Sequence, residues 1–263
     1  MKTTLFIGIF VLLATLALAQ PSNTMTTPSG TVVRVPLHAT QVAPGVFSLG
    51  NAVFDGKVVQ GFMIVDRKGD ARSSAVGKPK GSNTCYAFLA SGAKWKTNEP
   101  WVMNPTNSRG LDASTLLSIE SAAIQKWESA AGVNIFGAGS LTNAPLVIDT
   151  SSPDGVNEVV FGDADGAIAV TTVWGVFNGP ASRRQLVEWD QVFDDGAYDW
   201  SVDGSPTKMD FDDIATHEVG HALGMGHPSD SCTEETMYRF ATEGETKKRS
   251  LEAPDVAGIS ALY

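Results

Sequence analysis

Residues 217–227 read HEVGHALGMGH and hold three of the four histidines in a chain of 263 residues. A helix interior gains nothing special from histidine, so the concentration points to a metal. Positions four apart on a helix lie on one side, a turn apart, so His217 and His221 aim two imidazoles at one point. Glu218 stands beside the first ring, where a carboxylate can hold a metal-bound water and take its proton. Asp210, Asp212 and Asp213 precede the run or occupy its first turn, which suits the positive end of a helix dipole. Gly224 can adopt positive φ and stop the helix. The chain can then turn back and offer His227 as a third nitrogen. Three neutral nitrogens leave the fourth tetrahedral position open, as in a catalytic zinc centre. The H-E-x-x-H pair alone turns up in unrelated chains. With Gly224 and His227 at fixed offsets, stray surface or capped core histidines are a poor account.

The formal net charge is −10 and no long basic run occurs, so the clustered positive surface that a nucleic-acid partner requires is missing. Lys2 precedes an apolar stretch over residues 5–18 that ends on Ala17 and Ala19. This is the pattern of an export signal, residues 1–19, cut after Ala19. The stretch is short for a membrane anchor, so a secreted protein with no membrane partner is expected. Export makes the two cysteines, Cys85 and Cys232, read as one disulfide.

Residues 31–66 contain the runs TVVRVPLH, GVFSLGNAVF and KVVQGFMIV, with Asp55-Gly56 as a hairpin turn between the last two. Residues 67–84 are basic and Gly/Ser-rich, which reads as an easily cut linker. Residues 20–84 thus form a β-rich N-terminal segment ahead of a longer unit, residues 85–263. In that unit residues 114–131 carry Leu116, Leu117, Ile119, Ala123, Ile124 and Trp127 on one side of a helix. Ser114 is the expected cap and Gly132 the stop. The runs PLVIDT, NEVVFG, AIAVTTVWGVF and QLVEWDQVF read as strands, and the whole as an α+β unit.

Residues 217–227 match the metzincin signature HExxHxxGxxH at every position, and residues 85–263 resemble the matrixin branch. Thr236-Met237-Tyr238 resembles the Met-turn, whose methionine, here Met237, packs beneath the zinc. LEAPDVAGISALY is similar to the matrixin closing helix, with Asp255, Gly258, Ile259, Leu262 and Tyr263 in the expected places. VEWDQVF resembles the strand before the active-site helix, with Asp190 where matrixins commonly bind calcium. The resemblance implies a mixed five-stranded sheet with an active-site helix and a C-terminal helix. It implies one catalytic zinc held by His217, His221 and His227 in a cleft beneath an edge strand, near residues 166–174. A protein or peptide substrate would pair with that edge as an extended strand. Attack by a zinc-bound water, with Glu218 carrying the proton to the leaving amine, would cut it.

Two departures from the family stand out. Matrixins usually hold a structural zinc with three further histidines and an aspartate, and this chain has only His38 left. Glu188 falls about where one of those histidines would sit. Pro228 after the third histidine is closer to serralysins, yet Tyr238 follows Met237 directly, as in matrixins. Serralysins and astacins place a zinc-binding tyrosine where this chain has Arg239, so Tyr238 is not assigned to the metal. Asp149, Asp154, Asp163, Asp165, Asp190, Asp194 and Asp195 lie in calcium-rich territory for the family.

The expected function is a secreted, monomeric zinc endopeptidase. A non-catalytic zinc-binding or adhesion module with the same fold is the alternative, and Glu218 argues against it because a structural site needs no general base. Matrixins commonly keep themselves inactive with a cysteine from a propeptide, but residues 20–84 contain none. If this segment inhibits, it must use a carboxylate such as Asp66 or Asp70, or lay a strand along the cleft. The other reading is a permanent β module.

Overall fold

The β-branched and aromatic runs gather into one long mixed sheet, backed on one face by three helices. A computed structural model describes residues 28–69 and 84–263. The export signal and Asp70 lie outside the described residues. In chain order the N-terminal segment gives β1 (Thr40–Ala43), β2 (Val46–Phe54) and β3 (Lys57–Lys68). Next come β4 (Ala87–Phe88), β5 (Glu99–Asn104), α1 (Ala113–Ala131), β6 (Phe136–Leu141) and β7 (Asn157–Gly162). β8 (Ala169–Val176), β9 (Gln185–Asp194), β10 (Trp200–Ser201), β11 (Met209–Asp210) and α2 (Phe211–Ala222) lead to the metal motif. β12 (Met225–Gly226), β13 (Phe240–Ala241) and α3 (Ala253–Leu262) close the chain. Among the described residues no helix is long and apolar enough to cross a membrane.

The sheet order is β1-β2-β3-β8-β9-β7-β5-β6, with β13 also paired to β3. β5, β6, β7 and β9 are joined by parallel ladders. β8 runs antiparallel to both its neighbours. Apart from β13, five strands of the sheet come from the larger unit, the number that the matrixin resemblance implies. The difference lies at β8. Residues 166–174 were expected to present a free edge, but β3 pairs along β8 from Gln60↔Gly175 to Asp66↔Ala169. The hairpin of β2 and β3 supplies the hydrogen bonds that an edge strand leaves unmade. Asp55 (φ 48°) and Gly56 (φ 70°) form its turn, both left-handed, as a two-residue turn needs to match the strand twist.

Two expectations about local structure change. TVVRVPLH does not form a strand: it makes one bridge, Val32↔Asp163, before Pro36, which has no N–H to offer a ladder. Helix α1 is capped by Asp112 and not by Ser114. Asp112 accepts the Thr115 N–H at 2.9 Å, and the Ser114 hydroxyl itself donates to Asp112 at 2.5 Å. A carboxylate two residues upstream outcompetes the hydroxyl, because it accepts from both and favours the positive helix end. Gly132 ends the helix at φ 72° as expected. Asp210 caps α2 by accepting the Asp213 N–H at 3.0 Å.

Each face of the sheet has its own core. On the helix face Trp95, Trp101, Trp127, Trp189, Phe193 and Phe211 are buried with the apolar sides of α1, α2 and α3. Trp127 also donates its indole N–H to the Thr216 carbonyl at 2.8 Å, which fixes α1 against α2. The outer face carries a second cluster. There Val33, Leu49, Val59, Met63 and Val65 of the N-terminal segment pack on Val160, Val170, Trp174 and Val192. Full burial of one such side chain contributes about 1.5–3 kcal/mol, so the segment packs as a further layer on this sheet. Gly61 is required by that packing: a Cβ there would lie 2.7–2.8 Å from the Trp174 ring.

Candidate metal centre

Helix α2 turns His217 and His221 inward on successive turns, and both are almost fully buried. Leu223 ends the helix, and Gly224 at φ 99° turns the chain back. β12 then pairs with β4, Met225↔Phe88 and Gly226↔Ala87, and this ladder delivers His227. The disulfide Cys85–Cys232, with Cα atoms 5.5 Å apart, closes over the same ladder. The three Nε2 atoms lie 3.2 Å (His217–His221), 3.0 Å (His221–His227) and 3.3 Å (His217–His227) from one another.

The outer ring nitrogens explain this convergence. His217 Nδ1 lies 2.5 Å from the Thr236 carbonyl, and His221 Nδ1 lies 3.0 Å from that of Met225. A carbonyl only accepts, so these Nδ1 atoms carry the protons and the Nε2 lone pairs face inward. Burial pushes His217 down to about 3 and lowers His227 as well. Burial thus holds the His217 and His227 rings neutral, and inward-facing lone pairs repel unless a cation lies between them. Zinc–nitrogen bonds of about 2.0–2.1 Å in a tetrahedron separate nitrogens by about 3.3–3.4 Å. The donor set fits zinc.

Met237 is fully buried in a turn in which Tyr238 N–H donates to the Glu235 carbonyl at 3.0 Å. It packs on α2 at Gly220, where a Cβ would meet its sulfur. Glu218 is fully buried. Its Oε2 accepts the Thr171 hydroxyl of β8 at 2.6 Å, and Oε1 has no partner. Burial, reinforced by the charge of Asp66, raises its carboxyl well above the usual carboxylate range. Thr171 is a site residue that sequence reasoning missed. Its only signal was a pair of threonines inside an otherwise apolar strand.

Asp66 of β3 enters the same cluster. Its Oδ1 lies 2.9 Å from His227 Nε2 and 3.4 Å from His217 Nε2, and its Oδ2 lies 3.5 Å from His221 Nε2. The residue is 5% exposed, and neither oxygen has a hydrogen-bond partner. His38 is exposed and takes no part.

The acidic loop residues divide into two groups. Asp149, Asp154 and Glu188 bring one carboxylate oxygen each within 4.8 Å of the others. Asp190 adjoins them, accepting the Asp149 N–H at 2.9 Å and leaving Oδ1 unpartnered. Burial first and mutual repulsion second raise Asp190 well above its ordinary range. Burial, against the Gly155 N–H it accepts, pushes Glu188 up to about 8. Glu188 therefore belongs to this acidic group and not to any histidine set. Asp163 and Asp165 instead face Arg34 at 3.6 and 3.5 Å. Asp194 accepts backbone N–H groups of Ala164, Gly196 and Ala197. Asp195 accepts from Ser108.

A family model described as matrixin matches residues 94–263. The chain belongs to the matrixin family. Over 185 residues this matrixin is 27% identical to metalloendoproteinase 1-MMP of Arabidopsis thaliana, a match covering 68% of this chain and 46% of that protein. Against metalloendoproteinase 5-MMP of the same plant it is 25% identical over 190 residues, covering 68% and 48%. A shorter stretch of 62 residues is 43% identical to human matrilysin, covering 24% of this matrixin and 22% of matrilysin. The chain spans about half the length of the plant relatives that it matches.

Proposed function

We propose that this matrixin is a secreted zinc-dependent endopeptidase, with residues 1–19 as export signal, 20–84 as a removable N-terminal segment and 85–263 as the catalytic unit. The observation that carries this reading is the convergence of three Nε2 atoms, two of them on fully buried histidines, beside the unpartnered Oε1 of Glu218. His217, His221 and His227 hold the metal. Zinc held there would lower the pKa of a bound water to about 7 and polarise a carbonyl. Glu218 Oε1 takes the proton of the water that attacks the scissile carbon, and passes it to the amine nitrogen as the carbon–nitrogen bond breaks. Thr171 holds the other Glu218 oxygen and fixes the carboxylate's direction. Met237 supports α2 from below. The substrate is a protein or peptide that pairs as an extended strand along β8.

Calcium is the second ion we assign, at Asp149, Asp154, Glu188 and Asp190. Buried carboxylates this close repel one another, and a hard cation with oxygen ligands relieves the repulsion. Residues Asp163, Asp165, Asp194 and Asp195 already have partners within the protein and are left out.

The function is tested by turnover of a denatured protein, using the intact chain and the chain nicked with trypsin within residues 67–84 and then separated from its N-terminal piece. Turnover by the nicked chain, stopped by a chelator, is expected. Glu218→Ala should keep one zinc per chain and lose at least about 10²-fold in rate. No turnover by either form, or near-normal turnover by Glu218→Ala, overturns the reading.

A further inference from the structure

We infer that Asp66 is a fourth protein ligand to the metal and that β3 lies in the substrate's place, so that the intact chain is self-inhibited. This rests on the zinc endopeptidase reading. The first support is the carboxylate itself. Asp66 is buried with no hydrogen-bond donor on either oxygen, and three nitrogens face it at 2.9–3.5 Å. A buried charge persists only when paired or bound to a metal. Carboxylate oxygen is among the ligands zinc accepts beside imidazole nitrogen, and an oxygen in the fourth position would leave none for water.

The second support is independent and comes from register. Seven consecutive pairs align β3 with β8, and Ile168 N–H donates to the Asp66 carbonyl at 2.7 Å. Along β3, Ile64 belongs to the helix-side core, while Met63 and Val65 belong to the outer core. Asp66 therefore shares the face of Ile64, toward α2. A slip of one residue would turn every one of these side chains to the wrong face. Beyond Asp66, Arg67 and Lys68 pair with Phe240 and Ala241 of β13, so the strand is held on both sides of the ligand.

One strand thus blocks both requirements of the reaction. It uses the β8 ladder to which an extended peptide would add, and it fills the open metal position. The ligand oxygen is carried by the strand itself, so both effects come from one element.

The test is made on the full chain loaded with cobalt in place of zinc, whose visible spectrum reports metal ligands directly. A small hydroxamate, which binds an open metal position, is titrated in. The native chain is expected to keep its spectrum at hydroxamate concentrations that convert Asp66→Asn, with at least a tenfold gap in the midpoints. Asp66→Asn should also release metal to a competing chelator at least tenfold faster at an unchanged melting temperature. If the native chain's cobalt takes hydroxamate as readily as the variant's, Asp66 is no ligand and the inference fails while the metal centre stands. If neither chain shows a cobalt spectrum, the zinc reading fails, and this one with it. Should Asp66→Asn not fold, the native titration alone decides, because an open site must respond.

Discussion

The Asp255 carboxylate accepts the backbone N–H of Thr236 at 2.8 Å. It also accepts from Met237 N–H at 3.3 Å and Glu252 N–H at 3.0 Å, so the C-terminal helix grips the turn beneath the metal centre. The carbonyl of that same Thr236 receives the proton of His217 Nδ1. One peptide unit thus couples the last helix to the first histidine. Asp255→Ala should cost about 1–3 kcal/mol, since it orphans buried donors. It should also weaken zinc binding roughly 10–100-fold, the scale for groups that orient metal ligands. Melting curves and chelator competition separate the two effects. Native zinc affinity in a destabilised variant would reduce Asp255 to a purely structural role.

The Cys85–Cys232 bond spans 147 residues of sequence. In the chain-entropy model closing so long a loop contributes about 5 kcal/mol. Replacing both cysteines by serine should therefore lower stability steeply. Because the bond closes over the β4–β12 ladder that carries His227, zinc affinity should fall as well. A double variant that melts with the native chain would show that the ladder holds without it.

The calcium site proposed at Asp149, Asp154, Glu188 and Asp190 exists only in the folded chain, so calcium should raise the melting temperature. At a hundred times its dissociation constant the gain is about 2.7 kcal/mol. Glu188→Gln with Asp154→Asn should abolish the response. An equal calcium shift in that variant would move the site elsewhere.

Glu120 of α1 is fully buried with both carboxylate oxygens unpartnered. Burial, and then repulsion from Asp212, pushes it up to about 8 against the opposing charge of Lys126. The unfolded chain releases this proton near pH 4.5, so between about pH 4.5 and 8 the folded state holds the extra proton. Its contribution to stability is complete below that window and is lost as pH rises through it. Glu120→Gln does not titrate and should be the more stable form at pH 8, by at least about 1.4 kcal/mol, one unit's worth. The two chains should converge below pH 4.5. A constant difference across the window would mean that Glu120 is not the group responsible.

The metal motif could be read from sequence because its spacing is local: residues four apart on a helix must share a side, and Gly224 must permit the return of His227. β2, β3 and their Asp55-Gly56 turn were readable for the same reason. What escaped depends on pairing between distant segments. Asp66 and Asp70 looked equivalent in sequence, and only the register of β3 against a strand a hundred residues later sets Asp66 apart. The expected edge over residues 166–174 contains the right strand, but no local pattern reveals that another strand covers it. Thr171 and Asp255 act through long-range hydrogen bonds that leave no periodic trace. Ser114 lost to Asp112 by two residues, a choice decided by the strength of the acceptor.

Gly61, which lets β3 lie flat on the Trp174 indole, has an optical consequence. Of the six tryptophans only Trp174 belongs to the outer core, and the other five lie on the helix face. Departure of β3 would uncover this one ring and leave the rest in the dark interior, shifting its emission toward longer wavelength. The chain would then signal its own opening in intrinsic fluorescence, with no label and no substrate.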